Sequence, residues 1–231
     1  MMERLSQLAT RIGRTLAGPD VAVLRVVTDT RAVQPGDLFV ALRGERFDAH
    51  DFVAEAVARG AVGVLVQRPM AVAVGQIVVQ DTLAALQALA ASWRRSFTLP
   101  VVAVTGSNGK TTTKQLLAAV FAARGPVLAT EGNLNNHIGV PLTLLKLRAI
   151  HATAVIEMGA NHAGEIALLA RLAAPDVGIV TQAGDAHLEG FGSREGVAHA
   201  KGELFMALHG ENGDATPSAG GVAIINADDP Y

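Results

Sequence analysis

Apolar and polar positions along the chain fall into alternating blocks. Short apolar runs precede stretches with a helical repeat, and polar turns separate them. Residues 3–15 place Leu5, Leu8 and Ile12 on one face and predict a helix. Strands follow at 21–27 and 38–42, separated by the turns Thr28-Asp29-Thr30-Arg31 and Gln34-Pro35-Gly36-Asp37. A charged loop from Arg43 to His50 leads to a helix over 51–59, stopped by Gly60, then to strands at 61–66 and 77–79. From 82 the alternation resumes: a helix to 96, a strand from Val101, a glycine-containing loop and a helix over 114–121. Beyond it come a strand at 127–129, a polar loop at 131–137, a helix at 138–147 with Pro141 near its start, and a strand at 152–158. A helix at 164–172, a strand at 177–181, a helix at 193–208, a loose polar stretch at 211–221 and a strand at 222–225 complete the pattern.

Strands alternating with helices imply an α/β chain with a mainly parallel, doubly wound sheet. The expected domains are a small α/β unit over 1–80 and a second, sheet-centred domain over 81–231. Half of the 231 residues are hydrophobic, enough for a sizeable core, and only 17% are charged, against roughly 25% in typical soluble domains. A net charge of −2 without a basic cluster gives no footprint for nucleic acid. There are no cysteines, which excludes disulfides and thiolate metal sites. The N-terminal stretch lacks the apolar core of a signal peptide. The longest apolar region, 61–79, is broken by Arg68-Pro69, so no membrane span is expected and the cytoplasm is the expected location.

The clearest chemistry lies at Val101-Val102-Ala103-Val104-Thr105-Gly106-Ser107-Asn108-Gly109-Lys110-Thr111-Thr112-Thr113. Buried strand, glycine loop, lysine–hydroxyl and helix is the order of a phosphate-binding loop. Backbone N–H groups and the helix N-terminus would face phosphate oxygens. Lys110 would hold the outer phosphates, and the Thr111 hydroxyl suits Mg²⁺. The loop is the short T-G-x-x-G-K-T form, because Val104 stands where the longer G-x-x-x-x-G-K-[ST] pattern has glycine. The competing reading is a plain strand-to-helix turn.

Other polar residues close neighbouring strands. Glu157 ends the strand at 152–158 and could hold a cation bridging phosphates, or cap a helix. His187 follows the strand at 177–181, with Asp185 and Glu189 as acidic rivals, and an exposed loop histidine is the alternative. Lys201, near Glu203 in a helix, reads from its pattern as a solvated lysine. Asn133, Asn135 and Asn136 could read sugar or peptide groups, or merely make turns. In the first unit the loops after the strands are ligand candidates of the same kind, and ordinary surface loops fit as well.

Taken together these residues resemble the Mur ligases, ATP-dependent amide-forming enzymes of peptidoglycan precursor synthesis. The shared part is Thr105 to Thr113. More specific are Asn133-Leu134-Asn135-Asn136-His137-Ile138-Gly139-Val140-Pro141, Glu157-Met158-Gly159-Ala160-Asn161-His162 with Gly164-Glu165-Ile166, and Ala186-His187-Leu188-Glu189-Gly190-Phe191-Gly192-Ser193 continuing to Lys201-Gly202-Glu203. Asp29-Thr30-Arg31 and Pro35-Gly36-Asp37-Leu38-Phe39-Val40-Ala41-Leu42-Arg43-Gly44 match the family's UDP-sugar domain. Ala49 departs from the glycine usual before His50, and 211–221 looks like an insertion.

The resemblance implies a UDP-muramoyl-peptide domain followed by a P-loop ATPase domain. It implies ligation of D-alanyl-D-alanine to UDP-N-acetylmuramoyl-tripeptide through an acyl phosphate, with ATP and two Mg²⁺. Thr105, Gly106, Ser107, Asn108, Gly109, Lys110, Thr111 and Thr112 would bind ATP. Thr111, Glu157, His187 and a carbamoylated Lys201 would hold metal, and Lys110, Lys201 and His187 would serve catalysis. Thr30, Arg31, Gly44, Asp48, His50, Asn135 and Asn136 would bind substrate. The third residue of the tripeptide, diaminopimelate or lysine, stays open. The alternatives are a sister ligase using another amine, including glutamate on a folate, and a non-ligase nucleotide-binding module. The match ends inside the ATPase domain. The chain alone is therefore expected not to complete ligation, with adenine and dipeptide contacts beyond residue 231, and the full-length enzyme is expected to be a monomer.

Overall fold

The computed structural model describes residues 2–44, 47–184, 188–208 and 221–231. The chain divides into two compact α/β units, Met1–Trp93 and Arg94–Tyr231, each built on a five-stranded sheet.

The first unit runs α1 (Leu5–Arg11), β1 (Leu16–Ala17), β2 (Arg25–Val27), β3 (Asp37–Val40), α2 (Val53–Ala58), β4 (Gly63–Val66), β5 (Gly75–Val78) and α3 (Thr82–Arg94). Its sheet order is β1-β5-β4-β3-β2, parallel except for β1, which runs antiparallel to β5. The inner strands β3 and β4 are buried along their whole length, which is why they read as unbroken apolar runs. Phe39, Val64 and Val66 pack with Val53 and Ala56 of α2 in one core cluster. Full burial of each large side chain there contributes roughly 1.5–3 kcal/mol.

Three expectations change in this unit. The first helix stops at Arg11 because the N–H groups of Gly13 and Arg14 turn back to the carbonyls of Thr10 and Ala9, and the chain enters β1. Two residues are too few to leave a hydropathy period. The strand expected from 21 begins at Arg25, because Val21 and Val23 pair instead with the N-terminal residues: Leu5 N–H donates to Val21 O at 3.0 Å, and Met2 N–H to Val23 O at 2.8 Å. Finally, α3 packs with the first unit, beyond the boundary expected near 80. Thr82 Oγ1 donates to Ala41 O at 2.9 Å, and the Arg11 guanidinium lies 5.1 Å from the centre of the Trp93 ring.

The second unit runs β6 (Val101–Thr105), α4 (Lys110–Ala122), β7 (Val127–Ala129), α5 (Gly139–Leu144), β8 (Thr153–Glu157), α6 (Glu165–Ala173), β9 (Val177–Val180), α7 (Leu188–Phe191), α8 (Arg194–Leu208) and β10 (Val222–Ile225). The sheet order β10-β9-β6-β8-β7 is parallel throughout. Strands β6 and β8 are buried on both faces. The connection from β6 runs through α4 to β7 on one side of the sheet, whereas that from β8 runs back through α6 to β9 on the other, so a crevice opens at the carboxyl ends of β6 and β8. Register places Val104 opposite Glu157 and Thr105 opposite Val180, which brings the loops after three strands to that edge. The short α7 appears where only a loop was expected. Of the polar stretch 211–221, all but Gly221 lies outside the described residues.

Candidate active site

The loop after β6 is shaped by two glycines. Gly106 has φ 140°, and a Cβ there would collide with the Thr181 hydroxyl. Gly109, at φ 80°, turns the chain into the first turn of α4. The loop is pinned to the segment after β9. Ser107 N–H donates to Gln182 O at 2.8 Å, Ser107 Oγ donates to Gly184 O at 3.1 Å, and Thr181 Oγ1 donates to Asn108 O at 2.6 Å. The helix N-terminus and the loop amides make an anion-directed edge.

Lys110 curls back over this loop. Its ammonium donates to Gly106 O at 2.7 Å and Ser107 O at 3.2 Å. Burial lowers its pKa, partly offset by the charge of Glu157. Thr111, the next residue, points to β8: its Oγ1 donates to Glu157 Oε2 at 3.1 Å. Glu157 is 2% exposed. Asn135 Nδ2 donates to its Oε1 at 2.9 Å, and Lys114 Nζ lies 3.2 Å from Oε2. A hydroxyl and a carboxylate at the mouth of a phosphate-type loop are hard oxygen donors of the kind Mg²⁺ takes, with phosphates and water completing its shell. Among the described residues no three His, Cys, Asp or Glu side chains converge as a metal group.

Lys201, on α8, lines a cavity of about 300 Å³ together with Gly106, Lys110, Asn135, Asn161 and Glu165. Lys201 is 2% exposed and forms no hydrogen bond or ion pair with any described residue; its ammonium sits 5.3 Å from the centre of the Phe191 ring. Burial, then repulsion from Lys110, pushes its pKa down to about 8 against the pull of Glu165 and Glu203. The solvated lysine that the pattern suggested is thus a buried one. Glu203 faces the start of α6, accepting from Gly164 N–H at 2.6 Å and Ala167 N–H at 2.9 Å.

Not every expected contact reaches the cavity. Thr105 is fully buried and its Oγ1 donates to Met158 O at 2.8 Å, so it ties β6 to β8. Thr112 is exposed on α4, away from the lining. Asn136 lines the cavity, yet its Oδ1 also accepts from Ile138 N–H and Gly139 N–H at the start of α5. Glu189 is exposed in α7. His187 and Asp185 lie outside the described residues.

Sequence reading missed Lys114. The signal was its spacing three residues after Thr111, which places both on one helix face. It also missed a second cavity, about 590 Å³, on the other side of the phosphate-type loop. Asn108, Gly184, Arg194, Asn226, Asp228 and Asp229 line it, with Asp229 Oδ2 accepting from Ala183 N–H at 2.6 Å.

In the first unit the candidate loops form short 3₁₀ turns. Asp29 caps one by accepting from Arg31 N–H at 2.9 Å, and its carboxylate pairs with the Arg31 guanidinium at 2.6 Å. Gly44 closes a turn by donating to Phe47 O at 2.8 Å. Asp48 caps the second turn. His50 is buried, and its Nε2 accepts from Gln67 N–H at 2.8 Å, so Nδ1 carries the proton and donates to Asp48 Oδ1 at 2.5 Å. Both ring nitrogens are spent on the protein. His50 therefore holds the loop in shape, where the sequence reading expected a substrate contact. Among the described residues no helix is long and apolar enough to cross a membrane.

Known proteins share this arrangement. The family described as Mur ligase middle domain matches residues 104–231, and the one described as Mur ligase family, catalytic domain, matches residues 23–94. The UDP-N-acetylmuramoyl-tripeptide--D-alanyl-D-alanine ligase of Escherichia coli (strain K12) is 50% identical over 97% of this chain and 48% of its own length. The Bacillus subtilis (strain 168) ligase of the same name is 44% identical over 88% of this chain and 46% of its own. A crystal structure of MurF from Acinetobacter baumannii superposes with TM-score 0.87 at 40% identity, covering 99% of this chain and 50% of that one. MurF ligase from Thermotoga maritima in complex with ADP superposes with TM-score 0.77 at 36% identity, over 89% and 46%. The chain spans about half the length of the curated relatives it matches. With its phosphate-type loop, its Thr111–Glu157 pair and both units matched, the chain belongs to the Mur ligase family.

Proposed function

We propose that this chain carries the nucleotide- and UDP-peptide-binding parts of an ATP-dependent ligase that joins D-alanyl-D-alanine to UDP-N-acetylmuramoyl-tripeptide, acting as a monomer in the cytoplasm. The observation that carries the reading is the convergence of Lys110, the Thr111–Glu157 pair and the buried Lys201 at one strand edge. The activity for which the relatives are named supplies the reaction class.

In this reading a carboxylate oxygen of the tripeptide attacks the terminal phosphorus of ATP, and the bond to ADP breaks. The dipeptide amine then adds to the acyl phosphate carbonyl, loses its proton, and phosphate leaves. Lys110, with the loop amides and the N-terminus of α4, holds the phosphates and stabilises charge that moves onto the departing oxygen. Gly106 lets the backbone approach the phosphates. The sugar and base of the nucleotide would extend toward the second cavity beside Asn108, within the chain, where sequence reading put adenine contacts beyond residue 231. Asn135 keeps the Glu157 carboxylate aimed.

Mg²⁺, when bound, supplies positive charge that lowers repulsion between phosphate and carboxylate oxygens. Thr111 and Glu157 would hold one ion. A carbamoylated Lys201 and His187 would hold the second. Carbamoylation requires a neutral amine, and the lowered pKa of Lys201 provides one near neutral pH. In the first unit, Thr30, Arg31 and the loop from Gly44 to Asp48 would take the UDP end.

Calorimetric titration with ATP–Mg²⁺, and separately with UDP-N-acetylmuramoyl-tripeptide, tests this. Saturable binding of both is expected, with the tripeptide preferred over shorter UDP-muramoyl precursors and over folates. Absence of nucleotide binding rejects the reading, and preference for another acceptor points to a sister ligase.

A further inference from the structure

Helix α4 turns Leu117 and Phe121 toward the core strands, and a lysine stands on that same inward face. Its buried residue is Lys114, while Leu116 and Val120 are exposed. Lysine is almost never fully buried unless paired, and its partner here is Glu157, equally sequestered. Thr111 and Lys114, three residues apart, both reach Glu157 Oε2, at 3.1 and 3.2 Å. The other oxygen is taken by Asn135, and the Glu157 backbone N–H is fixed by Thr130 Oγ1 at 2.9 Å. The carboxylate is thus immobilised on every side, and the oxygen that faces the phosphate-type loop already has a cation against it.

The local charge balance follows. One carboxylate faces two ammonium groups, Lys114 in direct contact and Lys110 on the loop. A free divalent ion approaching Glu157 meets no net negative charge. A metal–triphosphate complex, itself negative, is attracted to the same place.

We propose that Lys114 is the built-in counter-ion of Glu157 and sets the order of loading, so that the site refuses free divalent metal and admits it only together with nucleotide phosphates. The proposal rests on the reading of Thr111 and Glu157 as a cation site. Lys114 acts through Glu157 and is a positioning residue. Its charge replaces what the metal would otherwise supply in the nucleotide-free protein, where a buried, unpaired carboxylate would be costly.

The test uses Mn²⁺, a hard divalent ion visible by electron paramagnetic resonance. Wild type, Lys114→Met, Lys114→Arg and Glu157→Gln are titrated with Mn²⁺ alone and with Mn²⁺ plus adenylyl imidodiphosphate. Wild type is expected to bind Mn²⁺ weakly alone and well with the nucleotide. Lys114→Met is expected to bind Mn²⁺ alone about tenfold or more tighter than wild type, and Lys114→Arg to restore the wild-type pattern. Melting temperature gives a second readout. Lys114→Met should melt low in EDTA and recover in Mn²⁺, whereas wild type should be indifferent, a contrast that simple loss of packing does not produce. Equal affinity of wild type and Lys114→Met for free Mn²⁺, or a Lys114→Met variant whose melting or folding Mn²⁺ does not rescue, overturns the proposal. Tight free Mn²⁺ binding by wild type, lost in Glu157→Gln, also overturns it without reference to any Lys114 variant. If wild type binds no nucleotide with or without Mn²⁺, the underlying nucleotide-site reading fails instead.

Discussion

The two units solve the same architectural problem with opposite treatments of charge. Each presents polar loops at the carboxyl ends of parallel strands. In the first, the ionised groups are matched to one another: Asp29 with Arg31, Asp37 with Arg25, Asp48 with the His50–Gln67 chain. In the second, the ammonium groups of Lys110 and Lys201 line one cavity. Lys110 leans on its own loop's carbonyls, and Lys201 has no pairing partner among the described residues. A protein does not bury unmatched charge for stability, since desolvation exceeds what loop carbonyls and an aromatic ring return. Under the proposed function, an anionic ligand would relieve this imbalance in the second unit, and the first would act as a pre-shaped platform.

The largest expected effect removes that imbalance. Lys201 has a folded-state pKa of about 8, below its ordinary value of 10.5. Between those values the unfolded chain binds more protons than the folded one, so stability rises with pH across that window, and the penalty is fully present below about pH 8. In CO₂-free buffer, Lys201→Met should stabilise the second unit at pH 7, by on the order of 3 kcal/mol, and flatten the rise from pH 8 to 10.5. Chemical denaturation across pH measures both; an unchanged pH slope would show that Lys201 is not held in the buried state.

Next is Lys110→Ala. Removing the charge over the loop should weaken nucleotide binding by about a hundredfold, roughly 2.7 kcal/mol, while stability changes by less than about 1 kcal/mol. A titration with a fluorescent ATP analogue reads the first, thermal melting the second. Near-native affinity removes the phosphate-loop assignment.

On the platform side, His50→Phe deletes an acceptor and a donor at once, leaving Gln67 N–H and Asp48 without their partner. The first unit should lose about 2 kcal/mol. Nucleotide affinity of the second should be unmoved, because the lesion is confined to a different compact unit. Loss of nucleotide binding in this variant would contradict the division of labour between the two.

Much of the fold, though not this contrast in charge, is legible in the sequence, and for identifiable reasons. The buried strands β3, β4, β6 and β8 read correctly because burial on both faces leaves a continuous apolar run. The strand–glycine loop–helix order around Gly106 to Lys110 read correctly because it is set by local sequence. Glu157 was placed at a strand end by its position in a run. What could not be read depends on distant residues. His50 looks like a ligand contact until Gln67, seventeen residues later, takes its Nε2. Lys114 shows its role only once α4 packs against β8 and brings it to Glu157. The two-residue β1 exists only because β5 offers it an edge.

The smallest effect concerns Arg31, whose side chain is 85% exposed and pairs with Asp29 through both guanidinium and backbone N–H. The fork geometry of a guanidinium suits phosphate, and the cap by Asp29 fixes the turn that aims it. Arg31→Ala should leave the melting temperature of the first unit unchanged while weakening UDP-N-acetylmuramoyl-tripeptide binding about tenfold at low salt, the loss shrinking as salt screens the pair in wild type. Asp29→Asn sharpens the comparison. The amide oxygen can still accept from Arg31 N–H and keep the turn, but the competing negative charge is gone, so affinity should hold or tighten. If Arg31→Ala binds the UDP-peptide as wild type does, this loop is not the diphosphate contact. If Asp29→Asn weakens binding as much as Arg31→Ala does, the ion pair itself, rather than a freed guanidinium, is what the ligand requires.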